Sequence, residues 1–304
     1  MLRGILALLT LMTPLCLSAS GGGVLPEQQA PRRFSASSGL GGEPSRVGSG
    51  RALLAADHRG TSPATFPRYL IPLPGETPAA TTHGFAQRLV LLTFDDGPDL
   101  QGTPLILAEL DRRKLKAVFF VMGQHIVRNR PEDLARRELL RRLAVHGHHV
   151  GNHTMHHKDL CQNPGALAEE VDRAAELITY ATGVRPQLFR APYGARCRSL
   201  DRALAERDLV QVGWNADPQE WRGDTETAIF SYVTNRLAHA SAPVILLLHD
   251  KNLAAVQALP RILDWIDREN ARVAREGGTP IRIVDYSVLL PVPQTTLQAQ
   301  SLPR

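Results

Sequence analysis

Two histidines four residues apart, His153 and His157, stand in the run Asn152-His153-Thr154-Met155-His156-His157. Upstream lies a carboxylate pair, Asp95-Asp96, within Thr93-Phe94-Asp95-Asp96-Gly97-Pro98. Two neutral imidazoles and one carboxylate suit a divalent cation and leave positions open for water and substrate. The other carboxylate is then free to act as a base, so the set points to a hydrolytic enzyme. Asp-Gly-Pro alone is a turn signal, and the acidic pair gains its meaning from the histidines. Nearby, His146 and His156 read as surface residues, and His148 and His149 as structural residues or outer partners of the site.

The elements that must hold these groups follow from the apolar pattern. Short apolar runs at 89–94, 117–122, 149–153, 187–190, 209–214, 244–248 and 281–284 alternate with helical stretches near 104–113, 132–145, 166–182, 199–207, 225–240 and 253–275. Such alternation predicts an α/β fold with a parallel sheet, and this many repeats in a short span favours a closed or nearly closed barrel. No glycine-rich phosphate loop supports the competing open, doubly wound sheet. Barrel active sites lie at the C-terminal ends of the strands. Asp95-Asp96 ends the first strand, His153 the third, Arg190 the fourth, residues 217–221 follow the fifth, and His249-Asp250 ends the sixth.

Outside this region the 304-residue chain changes character. Arg3, an apolar stretch over 5–17 and the small residues Ser18-Ala19-Ser20 read as an export signal at 1–20. The stretch falls short of the roughly 20 apolar residues of a membrane span, so no stable span is expected. An uncleaved anchor and lipidation at Cys16 are the rival readings, and Thr13-Pro14-Leu15 lacks the small residues lipidation would need. The protein is therefore expected in the periplasm or secreted. Residues 21–84, rich in Gly, Pro, Ser and Ala, read as a flexible linker of which 66–74 could dock on the domain at 85–291, and 292–304 read as a tail. Cys161 and Cys197 could pair in an oxidising compartment or remain separate thiols. The net charge of +5 is mostly arginine, and no basic cluster interleaved with aromatics points to nucleic acid. A monomer is expected.

The chain resembles the polysaccharide deacetylases of the NodB-homology class, carbohydrate esterase family 4, over about residues 89–290. The resemblance rests on TFDDGP at 93–98, H-T-x-x-H at 153–157, R-x-P-Y at 190–193, an acidic-plus-Trp segment at 217–221 and L-x-H at 247–249. It implies a distorted (β/α)7 barrel and an enzyme that hydrolyses acetamides on a polysaccharide. Asp96, His153 and His157 would then bind the metal, zinc being the expected ion, with cobalt or manganese suited to the same donors. Asp95 would deprotonate the attacking water, held anionic and oriented by Arg190. The backbone N–H of Tyr193, in a turn fixed by Pro192, would stabilise the oxyanion. His249 would protonate the departing amine, since an amide leaves poorly without a distinct acid. Leu247, Trp221 and Pro192 would line the substrate pocket, while Trp214 reads as core. Peptidoglycan, chitin oligomers, poly-N-acetylglucosamine and acetylxylan are the substrates the resemblance implies.

One position departs from the family pattern. Glu220 stands where the family has an aspartate that pairs with the catalytic histidine. Its carboxylate, one methylene further out, must fold back or the loop must shift, and Asp217 is the alternative partner. Two other functions share these residues. An O-acetyl esterase would use the same site on ester substrates, and a lapsed glycan-binding protein would need none of Asp95, Arg190 and His249. A scaffold that docks partners through the linker has no positive sequence feature.

Overall fold

The apolar run around Leu89, Val90, Leu91 and Leu92 forms the longest strand, β1 (Arg88–Gly97). Apolar residues on both of its faces suit a parallel strand covered on each side. The structure, a computed structural model, describes residues 88–289, so the expected signal at 1–20, the linker at 21–84 with its 66–74 segment, and the tail at 292–304 lie outside the described residues. After β1 come α1 (Gly102–Arg112), β2 (Val118–Val121), α2 (Pro131–Val145), β3 (His149–Asn152), α3 (Arg173–Thr182), β4 (Leu188–Phe189), α4 (Arg198–Ala205), β5 (Val210–Gln211), α5 (Glu226–Ala238), β6 (Val244–His249), α6 (Leu253–Glu276), β7 (Ile281–Ile283) and α7 (Tyr286–Leu289). Among the described residues no helix is long and apolar enough to cross a membrane.

The strands run parallel in the order β5-β4-β3-β2-β1-β6, with β7 along the opening of β1. The sheet curls until the chain leaving β5 meets β6 through a parallel bridge between Ala216 and Leu246. The expected distorted barrel is thus found. Alternate residues of β1 serve its two sides, as the two-residue strand period requires. Leu91 joins Val118, Phe120, Leu188, Val212 and Ile245 inside the barrel. Val90, Leu92 and Phe94 pack outward against helix residues such as Ile106, Leu107 and Leu259. Burying each such side chain is worth about 1.5–3 kcal/mol.

Three details differ from expectation. β4 and β5 keep only two residues each, because the carbonyls of Val212 and Gly213 accept hydrogen bonds from the Arg190 side chain instead of from a neighbouring strand. The helix expected over 166–182 is broken into a 3₁₀ turn (Pro164–Ala166), a π-helical turn (Ala168–Asp172) and α3. α7 was not foreseen. The open question of the cysteines closes, with Cys161 and Cys197 joined by a disulfide whose Cα atoms lie 5.8 Å apart.

His148 and His149 sit at the start of β3, at the opposite strand end from Asn152. His149 pairs with Asp285 at 2.9 Å. His148 is only 4% exposed, lies edge-on to Phe119, and neither of its ring nitrogens has a hydrogen-bond partner. Burial, then the charge of Lys116, lower its pKa from the ordinary 6.5 to about 4, against a smaller opposing pull from Asp111 and with minor help from His146 and His149. The unfolded chain therefore takes up a proton that the folded chain refuses between those values. Stability is expected to fall as pH drops from 6.5 toward 4, by about 3 kcal/mol in all. Urea unfolding of the parent and of His148→Phe across that range checks this: the difference between the two should vary with pH, and a constant difference would contradict it.

Candidate metal centre and active site

Successive residues of a strand normally point to opposite faces, so adjacent aspartates should not share a cavity. Here the register against β2 slips between Asp95 and Gly97, making Asp96 an extra, bulged residue. Its φ of 71° is left-handed. Bulges of this kind re-aim side chains, and both carboxylates consequently border the same cavity of about 440 Å³. Pairing of β1 with β6 sets Asp95 opposite His249. Parallel register alone thus brings together residues far apart in sequence.

Asp96 Oδ1 is buried and makes no hydrogen bond. His153 Nε2 and His157 Nε2 each lie 3.4 Å from it, and the three ligand atoms cluster within 4.8 Å of one another. Nδ1 of His153 lies 2.7 Å from the carbonyl oxygen of Arg190. That oxygen accepts, so Nδ1 carries the proton and Nε2 presents its lone pair, the arrangement a ligating histidine needs. Burial, then the neighbouring His153, lowers the pKa of His157. Burial would raise the pKa of Asp96, but the proximity of the His153 ring and the Lys251 ammonium outweighs it and holds the carboxyl below its usual range. An orphaned carboxylate oxygen facing two imidazole nitrogens fits a divalent ion.

Asp95 is held differently. Its Oδ1 accepts from Arg190 Nη1 at 2.8 Å. The guanidinium also donates to Thr93 Oγ1, Val212 O and Gly213 O, and it stacks over Phe120 at 4.2 Å. Asp95 Oδ2 is 3.8 Å from His153 Nε2. One carboxylate therefore belongs to arginine and the other to the histidines.

The remaining motif residues close the cavity. Tyr193, at φ 60° in the 3₁₀ turn Pro192–Gly194, sets its ring 4.7 Å from that of His157. Trp221 and Leu247 line the cavity as expected. Pro192 is buried beneath the turn and does not line it; Ala191 does. Trp214 packs on the barrel-interior core as expected and also forms part of the cavity wall, above the Arg190 guanidinium.

Glu220 has folded back to His249. One oxygen, Oε1, accepts from the His249 backbone N–H at 2.8 Å and lies 3.0 Å from His249 Nδ1. The extra methylene is absorbed by a turn that begins after Gln219, at φ 58°, and ends at Gly223, at φ 93°. Asp217 borders the cavity but spends Oδ1 on the Gln219 N–H. Asn252 caps α6 and donates to the Glu220 carbonyl, locking both loops together.

Three contributors escaped the sequence reading. Lys251 Nζ lies 2.6 Å from Asp96 Oδ2. Thr93 lies two residues before Asp95 and so shares its strand face, a signal that period-two spacing supplies. His156 lies at the surface as expected, and it also bonds to the buried Glu170, a contact not foreseen.

The chain was compared with known proteins. A sequence profile of the polysaccharide deacetylase family matches residues 83–212. A chitooligosaccharide deacetylase of Bradyrhizobium sp. is 37% identical over 165 residues, covering 54% of this chain and 71% of the relative. A peptidoglycan-N-acetylglucosamine deacetylase of Bacillus cereus is 30% identical over 189 residues, covering 60% and 65%. The solved structure of the peptidoglycan deacetylase PdaC from Bacillus subtilis is similar at a TM-score of 0.54 and 28% identity, over 68% of this chain and 92% of that one.

Burial works to lower the pKa of His249, but the Glu220 hydrogen bond and charge, with Asp95 and Asp96, override it and raise it above the ordinary 6.5. Glu220→Gln removes the largest of the raising influences. NMR titration of the His249 ring in metal-free protein should show its pKa falling in the variant; an unchanged midpoint would contradict the pairing.

Proposed function

The chain belongs to the polysaccharide deacetylase family, and from that premise we propose that it hydrolyses acetamides on an N-acetylated envelope glycan, using a divalent metal held by Asp96, His153 and His157. The observation that carries the reading is that one cavity gathers three separate devices. These are the orphaned Asp96 oxygen with two imidazole nitrogens, a base fixed by Arg190, and an acid fixed by Glu220.

A divalent ion in that donor set lowers the pKa of water toward about 7 in the best zinc cases and polarises a carbonyl. Zinc is the ion proposed, and cobalt or manganese would suit the same donors. Asp95 takes the proton of the attacking water: its Oδ1 is anchored on Arg190, and its other oxygen remains for that transfer. The backbone N–H of Tyr193, in the turn bordering the cavity, is assigned to the oxyanion, where one donor is worth about 3 kcal/mol of barrier. His249 hands its proton from Nε2 to the amine nitrogen as the C–N bond breaks, and Glu220 on Nδ1 keeps the ring protonated until then. Leu247 walls the space for the acetyl methyl, and the half-exposed Trp221 offers a face to the sugar.

Peptidoglycan, chitin oligomers and poly-N-acetylglucosamine all carry the group this machinery takes. The built acid favours an amide, whose nitrogen must be protonated to leave, over an ester. The Cys161–Cys197 disulfide supports an oxidising compartment and hence export of the enzyme to the envelope.

The test is acetate release by the full chain, stripped of metal and reloaded with zinc, cobalt or manganese. N-acetylglucosamine oligomers, peptidoglycan and acetylxylan would be offered side by side. Metal-dependent release from the N-acetylated polymers is expected. Release confined to acetylxylan would replace the reading with an O-acetyl esterase, and none from any polymer would overturn it.

A further inference from the structure

Between the histidine ligands the chain follows a path that does not hold itself. Thr154 and His157 both take left-handed backbone angles, φ 67° and 59°. Residues other than glycine in this region cost of order 1 kcal/mol each and persist only where the surroundings fix them. The first half of the loop is fixed from outside: Gly123 and Gln124 donate their N–H groups to the carbonyls of Thr154 and Met155. The second half, which carries His157, has within itself only the bond from the His157 N–H to Thr154 Oγ1 at 2.9 Å.

Its outside anchor is Glu170. This carboxylate is completely buried and lies in the π-helical turn that replaces the expected regular helix. Oε2 accepts from the His156 backbone N–H at 2.7 Å. Oε1 is 2.9 Å from His156 Nδ1 and 3.1 Å from Lys158 Nζ. The residues on each side of His157 are therefore both bound to one carboxylate. The same π-helical turn reaches the loop's root, where Asn152 donates to the carbonyl of Val171 at 2.9 Å. π-helical turns are rare and recur at functional sites. A buried carboxylate without partners would be costly, so Glu170 holds its donors as firmly as they hold it.

We propose that Glu170 is a positioning residue for the metal centre, fixing the His156–Lys158 backbone so that His157 Nε2 points at Asp96 Oδ1. Glu170 touches neither ligand ring nor substrate. Its effect passes through the peptide on which His157 rides. The inference rests on the metal reading of the site and extends it to a residue some distance along the chain.

The test measures metal affinity, not turnover. Zinc and cobalt dissociation constants would be determined by competition with a chromophoric chelator for full-length parent, Glu170→Ala and Glu170→Gln, beside the melting temperature of each metal-free protein. Outer partners of metal ligands are typically worth 10–100-fold in affinity. A loss of about 10- to 100-fold is expected for Glu170→Ala. Glu170→Gln keeps the shape, but its single oxygen cannot serve both the His156 N–H and the His156–Lys158 side-chain donors. A smaller loss, about 3- to 10-fold, is expected there, and this variant decides the matter if the alanine protein does not fold. Parent-like dissociation constants in the folded variants, whatever their melting temperatures, would reduce Glu170 to a structural residue and overturn the proposal. A parent that binds no metal would overturn the metal centre itself, which is a different result.

Discussion

A guanidinium with no access to water governs this cavity. Arg190 is fully buried at the end of β4, and a charge in that position survives only if its donors are satisfied. It reaches Thr93 and Asp95 on β1 and the carbonyls of Val212 and Gly213 beyond β5. These bonds cut β5 short, join opposite walls of the barrel and put a polar layer above the apolar one of Leu91, Phe120 and Ile245. They also decide the chemistry. With one oxygen committed to Arg190, Asp95 is held in a fixed orientation beside the cavity, and the proposed metal-ligand role suits Asp96, whose Oδ1 makes no hydrogen bond. Removing either partner of such a pair costs about 3–5 kcal/mol, so fold and function are tied through one contact.

The second constraint is the placement of loops on a short sheet. With β4 and β5 reduced to two residues each, the chain segments that carry His157 and Tyr193 have little ladder beneath them. They are braced instead by Glu170 from below, by the contact of their two rings, and by the disulfide. Cys161 and Cys197 each stand four residues beyond the ring they support. Closing such a loop restricts the unfolded chain by about 4 kcal/mol in the chain-entropy account. On the other wall His249 is fixed by Glu220, and Glu220 by the Asn252 cap of α6.

Much of this was readable from residue types. The alternation of apolar runs foretold the barrel, and Asp95, Asp96, His153, His157 and His249 do border one cavity, with Arg190 buried behind Asp95, because each ends a strand or follows one. What escaped has a common physical reason. The bulge at Asp96 depends on register, which no local spacing shows. Trp214 does pack on the barrel core, and its second role in the cavity wall depends on where the chain leaves β5, which local spacing does not show. The bond of the exposed His156 to Glu170 escaped because a glutamate in a helical pattern ordinarily faces water. The length of Glu220 left two answers, and only the left-handed residues around it show that the turn bends to bring it home.

The central claim is that adjacent carboxylates are divided, one for the metal and one for the proton. Equilibrium dialysis against zinc of the Asp95→Asn and Asp96→Asn proteins tests it most directly. Asparagine at 95 can still accept from Arg190, so that variant should retain an equimolar ion, whereas the variant at 96 should lose it. Retention by the Asp96 variant with loss by the Asp95 variant would contradict the account.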